Sequence, residues 1–255
     1  MTVILEVEGR WKMKGKKQAT RKTILLVSLL LFPVTLNYFS PYLIINGAFE
    51  GVLAGSALIF LSMLVFSVLL DRFFCGYLCP AGSIQEVCTG INAKPTKPGL
   101  NRVKWGIWLP WFGAIIAGFI AAGGIKKVNP LYMTESGISV AEPRAYFIYL
   151  PVIFLVLILA LTVGKRAFCH AGCWMAPFMI IGSEIGEKIN LSRLGLRKEN
   201  EDCIACGVCT KACPMSLNVQ QMVQTDKLYN RECILCSSCE GSCPKKVLLV
   251  RFGRR

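Results

Sequence analysis

The chain has 255 residues, of which 54% are hydrophobic and only 17% charged, and its mean hydropathy is +0.51. These values lie outside the usual range of soluble proteins and favour a membrane protein. The 29 Lys and Arg exceed the 15 Asp and Glu by 14 charges, which in an apolar chain indicates cytoplasmic flanks beside anionic lipid rather than a nucleic-acid surface. The 13 cysteines are clustered, which indicates metal ligation in a reducing compartment rather than a disulfide framework.

Four apolar segments, residues 23–45, 47–70, 104–125 and 145–163, are each long enough to cross a bilayer as a helix of roughly 20 residues. Pro33, Asn37 and Pro41 interrupt the first segment, which predicts a kink or an early end. Lys and Arg gather before the first segment, between the second and third, and after the fourth. By the positive-inside rule, this predicts a multi-pass protein of the cytoplasmic (inner) membrane, in contact with lipid and with both termini in the cytoplasm.

The second and fourth segments each end in a basic residue, an aromatic residue and Cys-x3-Cys. The first copy holds Cys75 and Cys79, and the second holds Cys169 and Cys173. An even number of segments separates the copies, so both pairs are expected on the same face of the membrane. A spacing of four places the two sulfurs of a pair on one side of a helix. The four thiols could ligate an iron–sulfur cluster, act as two redox dithiols, or bind a metal ion such as copper. The alternative is that they bind nothing and pack as small buried side chains, but two pairs at equivalent ends of a repeat favour a functional role.

Several polar residues accompany these pairs. Glu86, which follows the first pair within two turns, could accept protons from a quinol. The single histidine, His170, lies inside the second pair, and one histidine cannot supply both axial ligands of a b-type haem. An interfacial packing role for His170 is an equal alternative to a role beside a cofactor. Cys88 stands alone and is expected to pack as a small hydrophobe.

The C-terminal region contains Cys-x2-Cys-x2-Cys-x3-Cys-Pro twice. This is the ligand run of bacterial ferredoxins, in which the fourth cysteine of each run serves the other cluster. The rule predicts one [4Fe–4S] cluster at Cys203, Cys206, Cys209 and Cys243, and a second at Cys233, Cys236, Cys239 and Cys213. Two zinc sites are the alternative, but zinc does not require a third cysteine, a fourth cysteine and a proline at fixed spacing in both runs.

The predicted fold class is an α-helical membrane protein with four transmembrane helices and a small α+β ferredoxin domain. Residues 1–22 are assigned to a basic cytoplasmic N-terminus and residues 23–181 to the four-helix membrane domain. Residues 182–202 are expected to form an amphipathic linker at the membrane interface, and residues 203–255 a dicluster ferredoxin domain.

This arrangement resembles the membrane iron–sulfur proteins typified by the NapH quinol dehydrogenase subunit, and it is similar to the electron-transfer module of NosR and to the copper-reducing assembly factor CcoG. The resemblance runs from about residue 22 to residue 247. It implies cluster ligands at the eight ferredoxin cysteines and functional thiols at the two Cys-x3-Cys pairs. One departure is that Trp174 follows Cys173 where the family has proline, and Pro177 comes later, so the resemblance does not extend to the local geometry there.

The resemblance also implies a redox subunit that passes electrons between a quinone pool, or a metal ion, and a protein partner on the cytoplasmic face. Electron transfer through the clusters is the preferred interpretation. The first alternative is a thiol-based copper reductase or assembly factor. The second is a redox sensor that regulates a partner without steady electron flow. Cysteine spacing does not indicate the direction of flow.

Overall fold

The computed structural model describes residues 16–134, 137–140 and 143–254. Most of the predicted N-terminal segment, residues 1–15, lies outside the described residues. The helices, in chain order, are α1 (Lys16–Leu30), α2 (Phe32–Thr35), α3 (Pro41–Glu50), α4 (Gly55–Leu70), α5 (Phe73–Tyr77), α6 (Pro80–Cys88), α7 (Leu100–Ala121), α8 (Tyr146–Thr162), α9 (Ala167–Ala171), α10 (Ala176–Lys188), α11 (Val208–Ala212), α12 (Val219–Gln224) and α13 (Ser238–Ser242). The strands are β1 (Val52–Ala54), β2 (Lys127–Asn129), β3 (Arg193–Lys198) and β4 (Leu248–Gly253). Single 3₁₀ turns lie at Leu36–Phe39 and Pro143–Ala145.

Both of the first two predicted spans are interrupted. The chain bends by 59° between α1 and the segment that follows it. Pro33 and Pro41 lie in the first turns of α2 and α3, where the missing N–H leaves no intrahelical hydrogen bond unmade. Gly51 ends α3 in the left-handed region, with a φ of 71°. The second predicted span is therefore continuous only from α4 onward.

Helix α7 is long and apolar enough to cross a membrane, and the bent pair of α1 and residues 32–39 passes the same test when the two are taken together. Helices α4 and α8, within the second and fourth predicted spans, are apolar but shorter, with 16 and 17 residues. Within the described residues, these lengths do not confirm four membrane spans, and the four-span arrangement stays a prediction.

Helices α4 and α10 lie in close contact along a pair of glycines. A Cβ atom added to Gly182 would lie 2.2 Å from the carbonyl oxygen of Leu64, and one added to Gly186 would lie 2.2 Å from that of Val68. Two small residues four apart are the pattern that lets helix backbones approach closely. This contact fixes α10, which follows the second Cys-x3-Cys pair, against α4, which precedes the first pair.

The predicted interfacial linker, residues 182–202, has a different structure. Its first part completes α10, and its second part forms β3, which pairs antiparallel with β4. Leu194 and Leu196 are two residues apart, which is the period of a strand, and Leu196 is buried. Arg193, also buried, lies 3.8 Å from Asp71 between Nη1 and Oδ2. The segment is thus part of the packing between the helices and the C-terminal region.

Candidate functional site

The eight cysteines of the two C-terminal runs line two cavities, four to each. The outer set, Cys203, Cys206, Cys209 and Cys243, lines one cavity. The inner set, Cys213, Cys233, Cys236 and Cys239, lines the other. Each cavity therefore combines three cysteines of one run with the last cysteine of the other run. This is the grouping that the crossed-ligand rule predicts.

The two runs share an unusual backbone conformation. Ala205 and Gly207 have φ values of 52° and 71°, and the equivalent residues Leu235 and Ser237 have values of 50° and 57°. Residues other than glycine rarely adopt positive φ, whereas turns with left-handed residues form the backbone nests that bind anions and iron–sulfur clusters. Four thiols around one cavity, bordered by such turns, fit a [4Fe–4S] cluster in each set. Within the described residues, no three His, Cys, Asp or Glu side chains form a group suited to a single metal ion.

The two sets differ in exposure. Cys203 and Cys206 of the outer set are exposed, whereas Cys213 and Cys236 of the inner set are buried. Ile204, between the first two outer cysteines, is 59% exposed, but Ile234 at the equivalent place in the inner run is only 1% exposed. The outer set therefore borders solvent, and the inner set faces the interior.

The inner run packs directly against the first Cys-x3-Cys pair. A Cβ atom added to Gly76 would lie 2.2 Å from the carbonyl oxygen of Ile234 and 3.4 Å from the Cα atom of Cys236. Gly76 lies in α5, immediately after Cys75 and three residues before Cys79. Any larger residue at this position would push the inner run away from the pair.

The two Cys-x3-Cys pairs come together in the interior. These four cysteines, Cys75, Cys79, Cys169 and Cys173, are termed the edge set, and all four are buried. Burial, and then the neighbouring Cys169 and Cys75, raise the pKa of Cys173 to about 12. Burial and the other three cysteines likewise raise the pKa of Cys79. The four thiols are therefore close enough to influence one another, and a bound metal centre would have to displace their protons.

Two buried arginines stand at equivalent positions, each three residues before the first cysteine of its pair. Arg72 Nη2 lies 4.0 Å from Cys75 Sγ, and Arg72 Nη1 donates to the Glu232 carboxylate at 2.7 Å. Arg166 donates to the Glu86 carboxylate at 2.7 Å and to the carbonyl oxygen of Cys75 at 3.0 Å. Burial alone would lower the pKa of Arg72, but Cys75 and Glu232 raise it above its ordinary value. The guanidinium beside the edge set thus stays charged.

Two further cations complete this buried network. Lys104 Nζ lies 2.6 Å from the Glu232 carboxylate, and Arg21 forms an ion pair with Glu86. Burial by itself would raise the pKa of Glu86, but Arg166 and Arg21 outweigh burial and hold this pKa at about 2. Glu86 is therefore ionised and paired, which does not suit the role of quinol proton acceptor suggested by its position in the sequence.

Other polar and sulfur groups also contact the edge set. Gln85 Nε2 donates to Cys169 Sγ at 3.2 Å, and Met179 Sδ lies 3.9 Å from Cys75 Sγ. His170 Nδ1 lies 2.7 Å from Asn101 Oδ1, while its Nε2 has no partner among the described residues. Burial lowers the pKa of His170 to about 4, so the imidazole is neutral at pH 7.

Trp174 does not prevent the second pair from being followed by a helix like that after the first. Pro177 lies in the first turn of α10, as Pro80 does in α6. Trp174 Nε1 instead donates to the carbonyl oxygen of Phe39 at 2.8 Å. The helix start is therefore preserved, and the tryptophan ties the second pair to the segment between α2 and α3.

An apolar cavity of about 620 Å³ adjoins the edge set. Three of its lining residues, Pro80, Phe168 and Trp174, are chain neighbours of edge cysteines. The rest of the lining comes mainly from apolar residues of α2, α3 and α8 and from the segment between α2 and α3. Such a volume lies within the range of small-molecule and cofactor pockets.

The sequence interpretation did not include Arg72, Arg166 or Glu232 in the site. The first two could have been recognised because an arginine precedes both Cys-x3-Cys copies by the same distance. An acidic residue also precedes the first cysteine of both ferredoxin runs, as Asp202 and as Glu232. Only the folded structure shows that Glu232, and not the exposed Asp202, accepts a hydrogen bond from Arg72.

Comparisons with known proteins point to the same regions. A family model described as a 4Fe-4S binding domain matches residues 53–98, which contain Cys75 and Cys79. A second, described as a 4Fe-4S dicluster domain, matches residues 202–248, which contain the outer and inner sets. The chain thus carries two 4Fe–4S ferredoxin-type domains. Domains of this type hold iron–sulfur clusters that carry electrons.

Two curated relatives are similar to most of the chain. YccM of Escherichia coli (strain K12), a candidate electron transport protein by its description, is 26% identical over 191 residues, covering 72% of this chain and 52% of YccM. The methylamine utilization ferredoxin-type protein MauN of Methylorubrum extorquens is 26% identical over 181 residues, covering 68% of this chain and 59% of MauN. The chain therefore spans just over half the length of these relatives. No solved structure matches it.

Proposed function

We propose that the chain is a membrane electron-transfer protein that links a site at the edge set to a redox partner beside the outer set. The observation that carries this proposal is the order of the three cysteine sets. The inner run packs on Gly76, within the first pair of the edge set, while Cys203 and Cys206 of the outer set are exposed. The inner set thus lies between the buried end and the solvent end.

The order of the three cysteine sets suggests a role in electron transfer for the outer set and for the inner set. When bound, [4Fe–4S] clusters supply one-electron carriers whose potentials depend on burial and on nearby charge. The outer set, with the exposed Ile204 beside it, offers the surface at which a protein partner would approach. In the inner set, Cys213 and Cys236 are buried, and the buried side chains of Ile234 and Leu196 lie beside the set.

We further propose that the edge set holds a third iron–sulfur cluster. The match of residues 53–98 to a 4Fe-4S binding domain supports this assignment. The donor set also fits, because four buried thiols are joined by two buried arginines that suit a negatively charged centre.

The apolar cavity beside the edge set supports a quinone as the small-molecule partner. Its lining of aliphatic and aromatic residues suits a hydrophobic ring and tail. Oxidation of a quinol there releases two electrons, which would leave one at a time through the cysteine sets, and two protons, which pass to water. Reduction of a quinone is the reverse of this reaction.

Copper handling remains a second candidate because of one observation. The thioether of Met179 lies 3.9 Å from the Cys75 thiol, and thiolate and thioether sulfur together favour Cu(I). In this role Cys75 and Met179 would bind a cupric ion, which would be reduced to Cu(I) by one electron supplied through the inner set.

The test uses the purified full chain with its clusters, in lipid vesicles under strict anaerobiosis. A reduced menaquinol analogue should bleach the visible absorbance of the clusters in the wild type, and should not do so in a variant with all four edge cysteines replaced by serine. Cluster reduction that is insensitive to this replacement would contradict the proposed entry site. If reduced clusters are reoxidised by cupric ions but never respond to quinol or quinone, the copper function replaces the quinone function.

A further inference from the structure

We infer that Arg72 and Arg166 are positioning residues that set the charge, and thereby the redox potential, of the centre at the edge set. This inference rests on the proposed function, in which the edge set holds an iron–sulfur cluster. The two arginines are related by the internal repeat, and each directs its guanidinium to the region between the two pairs. Arg72 reaches the thiol of Cys75, and Arg166 reaches its carbonyl oxygen.

The hydrogen bonding of these arginines is incomplete. Both side chains are 1% exposed or less, and the Nε atom of each has no hydrogen-bond partner among the described residues. A buried N–H group without a partner is costly, and such groups in folded proteins call for an explanation. A negatively charged group bound at the edge set would supply the missing electrostatic compensation.

The buried charges around the edge set do not balance without such a group. Four cations surround it, and they share two carboxylates. The cations are Arg21, Arg72, Lys104 and Arg166, and the carboxylates are Glu86 and Glu232. The excess is two positive charges. A [4Fe–4S] cluster with four thiolate ligands carries about −2 in its oxidised state.

The excess of positive charge also distinguishes the possible states of the four cysteines. Four neutral thiols, or two disulfides, would leave both extra cations uncompensated in the interior, which is strongly unfavourable. A tetrathiolate cluster removes the excess. Its reduction by one electron then adds negative charge beside the arginines, which favours the reduced form and raises the redox potential.

Arg72 has a second contact that extends this effect to the inner set. Its Nη1 donates to Glu232, which immediately precedes Cys233 of the inner set. Lys104 holds the same carboxylate from α7. The arginine is thus placed between the edge set and the inner set, and its charge acts on both.

The test is a potentiometric titration monitored by EPR on the purified full chain. Signals of the edge centre are those absent from a variant with Cys75, Cys79, Cys169 and Cys173 all changed to serine. The variants are Arg72→Gln, which removes the charge, and Arg72→Lys, which keeps it. The control is Arg231→Gln, because the Arg231 side chain is 60% exposed and pairs only loosely with Glu184, at 3.6 Å.

We expect Arg72→Gln to lower the midpoint potential of the edge signal, Arg72→Lys to stay close to wild type, and Arg231→Gln to change nothing. Loss of the edge signal in Arg72→Gln with retention in Arg72→Lys would equally support the charge requirement. An unchanged edge potential in Arg72→Gln would overturn the inference. Loss of the edge signal in both Arg72 variants would also overturn it, because geometry rather than charge would then be decisive. Absence of an edge signal from the wild type is a different outcome, since it rejects the third cluster of the proposed function itself.

Discussion

Glu86 and Glu232 each join two buried cations from separate parts of the chain. Glu86 binds Arg21 of α1 and Arg166 before α9, and Glu232 binds Arg72 and Lys104. Removing one partner of a buried pair leaves an uncompensated charge, which destabilises a protein by about 3–5 kcal/mol. These carboxylates therefore hold the helices together around the edge set.

Replacing Glu86 should show this directly. We expect Glu86→Gln to lower the thermal midpoint of unfolding markedly, because Arg21 and Arg166 lose their shared carboxylate. Glu184→Gln is the matched control, since Glu184 is 38% exposed and pairs with an exposed arginine, and such surface pairs contribute about 0–1 kcal/mol. Equal effects of the two substitutions, measured by circular dichroism, would refute the structural role of Glu86.

The low pKa of Glu86 determines how the destabilisation by Glu86→Gln depends on pH. A carboxylate with a folded pKa of about 2 contributes full stability above the unfolded value of about 4.3 and loses it only as pH falls towards the folded pKa. The difference in thermal midpoint between wild type and Glu86→Gln should therefore be constant from pH 7 to pH 5. A difference that shrinks across this range would show that Glu86 takes up a proton there.

The crossed grouping of ferredoxin cysteines predicts which single substitutions resemble one another. Cys213→Ser should leave the same cluster spectrum as Cys239→Ser, because both belong to the inner set. Cys243→Ser should match Cys209→Ser for the outer set. If EPR instead pairs Cys213→Ser with Cys209→Ser, each run binds its own cluster and the grouping is wrong.

At the scale of elements, the packing of α10 on α4 depends on two glycines. We expect Gly186→Ala to destabilise the protein by about 1–3 kcal/mol, because its Cβ would overlap the Val68 carbonyl. Gly106→Ala in α7 meets nothing within 4 Å and should be neutral, or stabilising by up to about 1 kcal/mol through helix propensity. If Gly186→Ala and Gly106→Ala lost their helical circular dichroism signal at similar temperatures, the close contact between α4 and α10 would be contradicted.

The elements also show what could be predicted from the sequence. The two ferredoxin runs have a spacing specific enough to predict the four cysteines that line each cavity. The strand at residues 193–198 was not predicted, because Leu194 and Leu196 lie in a segment too short to separate a period of two from a loose helical pattern. Its partner, β4, pairs with it at separations of 50 residues or more, and such a pairing leaves no local signal.

The positions of Arg72 and Glu232 were unpredictable for a related reason. Both residues are visible in the sequence as charges beside cysteine motifs. Their contact joins positions 160 residues apart, so it depends on how the C-terminal region packs on the helices. The cysteine spacing indicates the cluster ligands but not the buried charges around them.

At the scale of the whole molecule, the N-terminal helix, the two Cys-x3-Cys segments and the ferredoxin-type region form one connected site. Gln18 of α1 donates to the Cys236 carbonyl at 2.8 Å, and Lys17 pairs with Glu240 at 2.9 Å. These contacts hold the inner run, with its helix α13, against α1. Since α1 leads into the first predicted span, the same helix would anchor the ferredoxin-type region at the membrane surface.

The difference in exposure predicts the order in which the ferredoxin clusters are damaged. We expect limited treatment with ferricyanide to remove the outer cluster first, because Cys203 and Cys206 are exposed while Cys213 and Cys236 are buried. The spectrum that remains after partial treatment should match that of Cys209→Ser, which retains only the inner cluster of the pair. A remaining spectrum like that of Cys239→Ser would reverse the assignment of outer and inner sets.

The proposed third cluster at the edge set, joined to the other two, sets the iron content of the protein. The most direct measurement is iron and acid-labile sulfide counting, with EPR, on anaerobically purified protein and on the variant with all four edge cysteines changed to serine. We expect about twelve irons in the wild type and about eight in the variant. About eight irons in both proteins would contradict it.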